Sequence, residues 1–555
     1  RIQDLPGVET LKIEPGMAGR LSLFRSESLR AAPGVSLAWT ESIPSMDRAV
    51  IGSDWSLAVP RAWPPPADHA RASLGGLPLQ LRPEGAVLSL GSSAWNPPAL
   101  ARGRPVARVE PDGRLLELAR ECGAAQAGVE LTEDAPWRFL AHTDRRFSVI
   151  ALDEAWAGGD AATEDYLLTR SGLRRVLARL SEQGLLAIPM QLDYPPRHYT
   201  RLLATLDGAL RATGAENPGE HVAVVRGMQA LVVLASPAPL AQTDVDHITA
   251  FAEQWRFDRA WHPGLEREAT NRVHRLDEPL FFDIARAVFA DETLPREARR
   301  FHTRPASLER PYPWRSLNWS EMDEILEQQG ERGWSYLDWT LLLTVVTAVV
   351  AAVLALLLIL APLGRLPRIR PPLTRLSVFG YFLALGLGYM LLELALFQRL
   401  ILYLGEPVLT ASIVFAVFLI GSGIGSAMTP AETTRASLAR VYTALAVGLA
   451  VALIPFLAVD LLSAPAMLPR ALLLALALVP LAWALGRPLP WGLARLEHED
   501  RWIPWAWGIN SFASVLGASI APLLSVHLGQ HMTLIAGVAA YLTAYTVARR
   551  RLCEE

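Results

Sequence analysis

The sequence predicts a soluble α/β domain, preceded by a small β-rich piece and followed by a polytopic α-helical membrane domain of about seven spans. Short alternating stretches, strand and helix alternation from residue 86, and long apolar runs after about residue 340 support this prediction. The predicted divisions are a β-rich piece at 1–65, the α/β domain at 66–300, an amphipathic or interfacial linker at 301–338 and a seven-helix transmembrane domain at 339–555.

The N-terminal stretches LKIEPGMAGRLSLFRS and VSLAWTES alternate apolar and polar residues between turn residues, which predicts short strands. The α/β domain then reads as apolar strands (AVLSL, FSVIALDEAW, HVAVVRG, ALVVLAS) separated by helical patterns (LLELARE, HYTRLLATLDGALRATG). Such alternation predicts a largely parallel sheet with helices on both faces, and ligands of such sheets bind beyond the carboxyl ends of the strands.

The C-terminal part contains apolar windows close to the roughly 20 residues that a helix needs to cross a bilayer. Charged residues are sparse within them, so each window predicts a membrane-spanning helix. The windows cover about 340–362, 376–400, 408–428, 439–458, 468–486, 504–527 and 531–548.

The arginines of the short connections predict the orientation, because Lys and Arg collect on the cytoplasmic side. They occur after the first, third, fifth and seventh spans: Arg365, Arg368, Arg370 and Arg375; Arg435 and Arg440; Arg487, Arg495 and Arg501; and Arg549, Arg550 and Arg551. The alternate connections are poor in positive charge, and the approach to the first span is acidic, with Trp334, Tyr336 and Trp339 as an interfacial belt. We therefore expect residues 1–338 outside the cytoplasm and the C-terminus inside.

Charge and cysteine content narrow the possible functions. The formal net charge is −3 and no basic tract stands out, so we expect no nucleic-acid partner. The two cysteines, Cys122 and Cys553, are separated by all the predicted spans, which argues against a structural disulfide.

The stretch VLSLGSSAWNPPALARGRPVARVEPDGRLLELAR, residues 87–120, has the layout of a nucleotide-cofactor site. An apolar strand ends at Gly91, a turn follows, and a second strand ends at the acid Glu110 before a helix. The turn that should be rich in glycine instead reads SSAWNPP at 92–98. Whether this site still binds a cofactor is the main question that the sequence raises.

These segments, with DAPWRFLA, RFSVIALDEAW and EQGLLAIPMQ, resemble the spermidine synthase (polyamine aminopropyltransferase) family, which shares the Rossmann-type fold of S-adenosylmethionine-dependent methyltransferases. The whole chain is similar to bacterial membrane-fused spermidine-synthase-like proteins. The membrane segments YFLALGLGYMLLELALFQRLILYLGEP, GRPLPWGLARL and PWAWGINSFASVLGAS are the most specific part of this resemblance. The resemblance implies a multi-pass protein of the bacterial inner membrane, with a periplasmic soluble domain if the arginine pattern is followed.

The resemblance also implies site residues. Gly91 and Glu110 match the cofactor turn and the acid that hydrogen-bonds the cofactor ribose, and Asp134 matches the acid near the adenine. Asp153 matches the first acid after the fourth strand and is the catalytic candidate if the protein is active. The stretch EAWAGGDAATEDYLLT, with Glu154, Asp160, Glu164 and Asp165, is similar to the family's mobile gate loop and reads either as a solvated loop or as a collector of cations.

Two departures put that activity in doubt. Trp95 stands in the cofactor turn, where a side chain fills space intended for ligand, and Pro97 and Pro98 remove backbone donors. In active synthases a second acid follows the first by three residues, whereas Trp156 holds this position here and cannot act as a base. Neither S-adenosylmethionine nor its decarboxylated form is expected outside the cytoplasm. We therefore expect no adenosyl cofactor to bind.

The membrane half offers two further candidates. Glu393 is an acid within an apolar run, which predicts either a functional carboxyl or one that is protonated or in contact with Gln398, Arg399 or Asn510. His527 and His531 lie four residues apart and either share a helical face as metal or haem ligands or occupy a short outer turn, which we favour. We therefore expect no metal site. Glycines at helix-packing spacing, such as Gly386 and Gly388, predict closely packed helices.

Three functions remain open. The first is a non-catalytic subunit or docking scaffold of a membrane or periplasmic assembly, with the lipid bilayer and another protein as partners. The second is an active aminopropyltransferase or methyltransferase that uses decarboxylated S-adenosylmethionine or S-adenosylmethionine. The third is a transporter or sensor of polyamines or other cations that uses Glu393.

Overall fold

Two separate units make up the chain, Arg1–Asp338 and Trp339–Glu555. The structure is a computed structural model that describes residues 7–16, 19–30, 33–43, 45–52, 55–61, 68–91, 103–153, 161, 163–329, 337–361, 374–457, 467–496 and 499–552.

Twelve strands lie in the described part of the first unit and form two sheets. The strands are β1 (Glu9–Glu14), β2 (Leu21–Arg25), β3 (Asp47–Ile51), β4 (Trp55–Val59), β5 (Val87–Leu90), β6 (Val106–Glu110), β7 (Val129–Glu133), β8 (Phe147–Leu152), β9 (Leu180–Gln191), β10 (Val222–Arg226), β11 (Ala230–Ala235) and β12 (Asp258–Trp261).

The larger sheet has the order β12-β10-β11-β9-β8-β5-β6-β7. Strands β5 to β9 pair in parallel, and β11 pairs antiparallel with both β9 and β10. One antiparallel strand therefore lies between two strands of the parallel direction, which is the arrangement of the Rossmann-like methyltransferase fold. The fold class predicted from the sequence is confirmed.

The smaller sheet is an antiparallel meander of β1 to β4, as the alternating N-terminal pattern predicted. Its apolar face, with Leu21 and Leu57, packs against Leu115 and Leu118 of the helix that follows β6. Arg114 of this helix donates to the backbone oxygen of Gly19 at 2.7 Å, which also attaches the meander to the cofactor half of the larger sheet.

The helices of the first unit cover both faces of the larger sheet. They are α1 (Asp68–Arg71), α2 (Leu77–Leu81), α3 (Gly113–Glu121), α4 (Pro136–His142), α5 (Arg170–Leu177), α6 (Arg197–Ala212), α7 (Gln242–Trp255), α8 (Leu280–Phe289), α9 (Arg296–Arg299) and α10 (Met322–Gln329). Helices α5, α6 and α8 bury Leu173, Leu203 and Ile284 on one face, whereas α2 and α7 bury Leu81 and Phe251 on the other. Because both faces are covered, β10 and β11 are buried along their whole length.

The amphipathic helix α8 and the predicted interfacial linker both use their apolar side chains inside the first unit. In α8, Phe281 and Ile284 belong to the main core cluster. In the predicted interfacial linker, Trp314 joins the same cluster and Leu317 is fully buried. An amphipathic pattern alone does not distinguish a domain core from a membrane surface, because both offer an apolar environment.

The described part of the second unit contains seven helices long and apolar enough to cross a membrane, which indicates a multi-pass membrane protein. Its helices are α11 (Trp339–Ala355, continued as a π-helix over Leu356–Leu360), α12 (Arg375–Leu404), α13 (Pro407–Ala427), α14 (Arg435–Leu457), α15 (Met467–Leu485), α16 (Pro488–Ala494), α17 (Ile503–Leu528) and α18 (Gln530–Val547, continued over Ala548–Leu552).

Helix α12 is the most enclosed of the described spans and packs against both α17 and α18. Small residues permit these contacts: a Cβ added at Gly388 would lie 2.8 Å from the Tyr541 ring, and one at Gly421 of α13 would lie 2.7 Å from Ala482 of α15. The small-residue spacing in the sequence therefore reflects close helix packing.

Candidate functional site

Two predicted cofactor residues and the catalytic candidate lie side by side at the carboxyl edge of the larger sheet. Ser89 of β5 is paired with Arg108 of β6 and with Ala151 of β8. Two residues further along the same strands, on the same sheet face, come Gly91, Glu110 and Asp153. We call Ser89, Arg108, Glu110 and Asp153 the edge cluster.

Gly91 begins the cofactor turn in a conformation that favours glycine, with φ of +98°. Its N–H donates to the backbone oxygen of Val109 at 3.1 Å, so the first strand remains attached to the second beyond its last residue. The predictions about Trp95 and its neighbours concern residues 92–102, which lie outside the described part of the chain.

Glu110 is almost completely covered, with 3% of its surface exposed. Its Oε1 accepts a hydrogen bond from the N–H of Asp112 at 3.1 Å, just before α3 begins. A carboxylate that binds ribose hydroxyl groups must present its oxygens to the ligand, and this one is oriented by its own backbone. The described structure therefore places the ribose-binding candidate at the expected edge but not on an open surface.

Arg108 is the residue of this site that the sequence reasoning missed. It is 2% exposed, and burial lowers the pKa of its guanidinium, while the charges of Glu110 and Asp153 oppose that effect. A buried cation thus lies within the edge cluster, close enough to interact with both acids. The signal was present in VARVE, because an arginine in the middle of an otherwise apolar parallel strand demands a charged partner.

Asp153 is 6% exposed, and Ser89 Oγ donates to its Oδ2 at 3.3 Å. Burial raises the pKa of Asp153 to about 7, while the Ser89 hydrogen bond and the Arg108 charge partly counteract this rise. The side chain therefore changes its protonation state near neutral pH, which is a property of many general bases. Trp156, predicted to occupy the position of the second acid, lies outside the described residues.

Asp134 follows β7, and its N–H donates to the backbone oxygen of Glu110 at 3.3 Å. Its carboxylate forms an ion pair with Arg138, one helical turn further on in α4. The next side chain of this helix, Trp137, is covered by the Arg175 guanidinium, 4.0 Å from its ring centre. The acid expected near an adenine is thus engaged by a cation of its own chain.

The two described acids of the predicted gate loop are half-buried and hydrogen-bonded within the chain. Asp165 accepts hydrogen bonds from the N–H groups of Leu167 and Leu168 at 3.1 Å each, and burial raises its pKa to about 6. Glu164 accepts from the hydroxyl of Tyr312 at 3.2 Å, and burial raises its pKa as well. These two acids are therefore partly exposed and engaged within the chain; Glu154 and Asp160 lie outside the described part.

A cavity of about 610 Å³ lies at the same sheet edge, two strands from Asp153, where β9 ends and β10 turns into β11. We call it the edge cavity. Its lining includes Gln191, Met228, Gln229 and His274, together with residues 33–37. Burial lowers the pKa of His274, so the imidazole is neutral at neutral pH. Amide groups and a neutral imidazole make the lining polar without a net charge.

In the membrane unit, Glu393 is 7% exposed and lies in α12, the most enclosed helix. The residues considered as its partners make other contacts: Gln398 accepts from Ser525 Oγ at 2.6 Å, and Arg399 lies over the Phe456 ring. The structure therefore places this carboxyl inside the helix bundle without uniting it with the predicted partners.

His527 and His531 belong to different helices, because α17 ends at Leu528 and Gly529 separates it from α18. His527 Nδ1 is 2.8 Å from the backbone oxygen of Leu523, and His531 packs against Phe456. The alternative in which they share one helical face is wrong. Among the described residues, no group of three or more His, Cys, Asp or Glu side chains is arranged to hold a metal ion.

Three of the four arginine-bearing connections meet at one end of the membrane unit. Trp491 of α16 donates to Ser437 Oγ near the start of α14 at 2.9 Å, and Arg495 donates to the backbone oxygen of Leu552 at 2.6 Å. The first connection, with Arg365, Arg368 and Arg370, lies outside the described residues. Arginines grouped by the sequence pattern therefore share one end of the bundle.

No protein family and no curated protein matches the sequence. Several solved structures are similar to part of it, including the following three. Human methyltransferase-like protein 13 in complex with SAH is 17% identical and covers 36% of this chain and 97% of its own, with a TM-score of 0.25. A probable spermidine synthase from Corynebacterium glutamicum is 14% identical and covers 45% and 87%, with a TM-score of 0.31.

A chain of a fibrillarin/Nop5p complex is 15% identical and covers 35% of this chain and 94% of its own, with a TM-score of 0.20. These scores are too low to transfer a function. The strand order of the larger sheet, rather than these similarities, assigns the first unit to the Rossmann-like methyltransferase fold.

Proposed function

We propose that this protein is a non-catalytic membrane component: a synthase-like domain that no longer binds an adenosyl cofactor, anchored by seven spans as a subunit or docking scaffold of a membrane assembly. The observation on which the proposal rests is the burial of Glu110 together with Arg108 at the cofactor edge. The acid that would have to face the ribose instead shares a closed cluster with a cation of the same chain.

The electrostatics of the edge cluster support the same conclusion. A ribose offers neutral hydroxyl groups, and opening the cluster to admit it would separate buried charges from each other before any ligand contact formed. Breaking a buried charge pair costs about 3–5 kcal/mol. Asp134 adds a second internal ion pair with Arg138 at the expected adenine position. Cofactor binding would have to overcome both.

Orientation is part of the proposal. The arginines at one end of the bundle, including Arg440, Arg495 and Arg549, favour that end as the cytoplasmic one. We accordingly expect the C-terminus in the cytoplasm and, with seven spans, residues 1–338 in the periplasm or its equivalent. Adenosyl cofactors are made and used in the cytoplasm, which is consistent with a closed site.

Two experiments test the scaffold proposal: a turnover assay with the purified protein, and extraction of the protein from its native membrane. Purified full-length protein, supplied with labelled decarboxylated S-adenosylmethionine or S-adenosylmethionine and with putrescine or spermidine, should form no labelled product above the background of an Asp153→Asn variant. Protein extracted from its native membrane in mild detergent should migrate as a complex larger than the purified chain alone. Product formation that is lost in Asp153→Asn would refute the proposal, as would an extracted species identical to the isolated chain.

One observation favours an active transferase as the second candidate. The pKa of Asp153, raised to about 7, would suit a base that removes a proton from an attacking amine. That candidate requires the edge cluster to open and residues 1–338 to face the cytoplasm. A reporter fused after Leu552 distinguishes the two: a cytoplasmic signal supports the scaffold, whereas a periplasmic signal supports the enzyme.

A further inference from the structure

We propose that a groove between α14 and α18 of the membrane unit binds one acyl chain of an anionic lipid, with the lipid headgroup held by Arg435 and Arg549. This inference is independent of the proposed function, because it concerns neither the cofactor edge nor a protein partner. It rests on the shape of the groove, its length and the charge at one end.

The groove has a volume of about 540 Å³ and an almost wholly apolar lining. Its floor consists of buried side chains, among them Leu392 of α12 and Leu481 of α15. Its rims are exposed: Val447 of α14 and Leu542 of α18 each retain 57% of their surface. In a membrane this opening faces hydrocarbon, so the natural occupant is an apolar chain that enters from the side.

The length of the groove fits one leaflet. On α14 its lining extends from Ala439 to Ala450, eleven residues apart. At 1.5 Å of rise per residue this is about 16 Å, or half of the roughly 30 Å hydrocarbon core. A transmembrane helix of another protein would need a surface across the whole core. A groove of half that length instead matches the acyl chain of a lipid in one leaflet.

Positive charge at one end of the groove favours a lipid with an anionic headgroup. Arg435 precedes Ala439 by one helical turn on α14 and so lies on the groove face of that helix. Arg549 lies four residues after Tyr545, in the π-helical continuation of α18 beyond the same end of the groove. The rings of Tyr442 and Tyr545 are 4.9 Å apart, which brings these two helix ends together.

Arg440, the third arginine at this end of α14, forms an ion pair with Glu432 at 3.2 Å. The two arginines one turn beyond the groove therefore supply the charge for a ligand. Clusters of arginine at the level of the headgroups attract anionic lipids and add little for zwitterionic ones. The site should accordingly select phosphatidylglycerol over phosphatidylcholine with identical chains.

Native mass spectrometry of the full-length protein, released from detergent and titrated with dioleoyl phosphatidylglycerol or dioleoyl phosphatidylcholine, tests the proposal. We expect one anionic lipid to bind about tenfold more tightly than the zwitterionic one. The double variant Arg435→Gln/Arg549→Gln should lose this preference and keep the weaker binding. Ala450→Phe, which fills the groove, should reduce binding of both lipids at this site by about tenfold.

Matched controls separate the groove from the general surface. Ala416→Phe makes the same change at an exposed position of α13, and Arg501→Gln removes an arginine that does not lie on a groove helix. Both should bind like the wild type. Equal binding of the two lipids by the wild type would refute the headgroup assignment. Unchanged binding by a folded Ala450→Phe protein, or by Ala446→Phe if Ala450→Phe does not fold, would refute the groove.

Discussion

The edge cluster and the edge cavity lie at the same edge of the larger sheet, but the edge cluster is closed and the edge cavity is open. At the edge cluster, Glu110 and Asp153 are almost fully buried around Arg108. At the edge cavity, about 610 Å³ remains open beside Met228, which keeps 62% of its surface exposed. The fold supplies the same kind of edge in both places. Side-chain identity, rather than topology, decides which part of that edge is closed.

The contrast distinguishes two properties of the first unit. The chain has the methyltransferase-like fold, but the cofactor edge of that fold is closed. The parallel strands still bring the cofactor residues together, because register depends on backbone pairing and on apolar side chains. Glu110 and Asp153, however, are buried within reach of the charge of Arg108, a cation of the same chain. Substitutions in the edge cluster and in its surroundings can measure how tightly the cluster is closed.

The largest expected effect is that of removing the buried cation. Arg108→Met leaves two buried acids without their counter-charge and should lower the free energy of unfolding by about 3–5 kcal/mol. Arg120→Met, at an exposed ion pair of α3, should change it by less than about 0.5 kcal/mol. Thermal unfolding of the soluble unit, followed in the detergent-solubilised full chain, measures both.

Neutralising all three charges sharpens this test. The combined Arg108→Met/Glu110→Gln/Asp153→Asn variant should recover most of the lost stability, since replacing a buried charge cluster as a whole is often close to neutral. If Arg108→Met alone were as stable as the wild type, the edge cluster would not be a closed charge network.

The second effect is a pH dependence. Asp153 has a folded pKa of about 7, above its value in the unfolded chain, so the folded state binds more protons between these two values. Its contribution to stability is present at low pH and is lost as pH rises through about 7. Between pH 5 and pH 7 the wild type should therefore lose about 2 kcal/mol more than Asp153→Asn does.

The pKa of Asp165 is also raised, so the difference between the two proteins, rather than the slope of either one, reports on Asp153. Ser89→Ala removes a hydrogen bond that lowers the pKa of Asp153 and should move the transition to higher pH. Parallel profiles of wild type and Asp153→Asn would contradict the assignment of this shift.

A smaller effect is expected at the predicted adenine position. Arg138→Ala removes the partner of half-buried Asp134 and should cost about 1 kcal/mol. Arg145→Ala, which removes an exposed pair with Glu130, is the matched control and should cost less than about 0.5 kcal/mol. Equal unfolding midpoints for the two variants would mean that the Asp134 pair adds no more than a surface pair.

The smallest effect belongs to the edge cavity. Met228→Trp adds volume where the structure is open and should change stability by less than about 0.5 kcal/mol. Ala151→Leu adds volume beside the edge cluster, where the side chain is 2% exposed, and should cost about 1–3 kcal/mol. A Met228→Trp cost as large as that of Ala151→Leu would remove the contrast between the two regions.

Local patterns explain what the sequence could predict. Glu110 ends β6, and Gly91 and Asp153 directly follow β5 and β8, so pairing of those strands places them together once the alternation of strands and helices is recognised. The seven apolar runs likewise define the membrane helices by length alone. The Asp134 and Arg138 pair is also local, with Asp134 two residues before α4 and Arg138 in its first turn, although the sequence analysis assigned Asp134 only by its resemblance.

Contacts between residues that are distant in the sequence explain what the sequence could not predict. Glu164 and Asp165 read as a solvated acidic loop, but Tyr312 and the backbone oxygen of Pro311 cover them from a segment almost 150 residues away. The edge cavity combines Gln191, Met228 and residues 33–37, which no single stretch of sequence connects. Such sites depend on tertiary packing, which hydrophobic periodicity does not encode.

Calorimetric titration of the full-length protein with decarboxylated S-adenosylmethionine, S-adenosylmethionine and spermidine tests the central claim most directly. A closed edge cluster predicts no binding heat from either adenosyl compound at ligand concentrations up to the millimolar range. Micromolar binding of either compound, weakened by Glu110→Gln, would show that the cluster opens for a cofactor and would contradict the proposal of a non-catalytic scaffold.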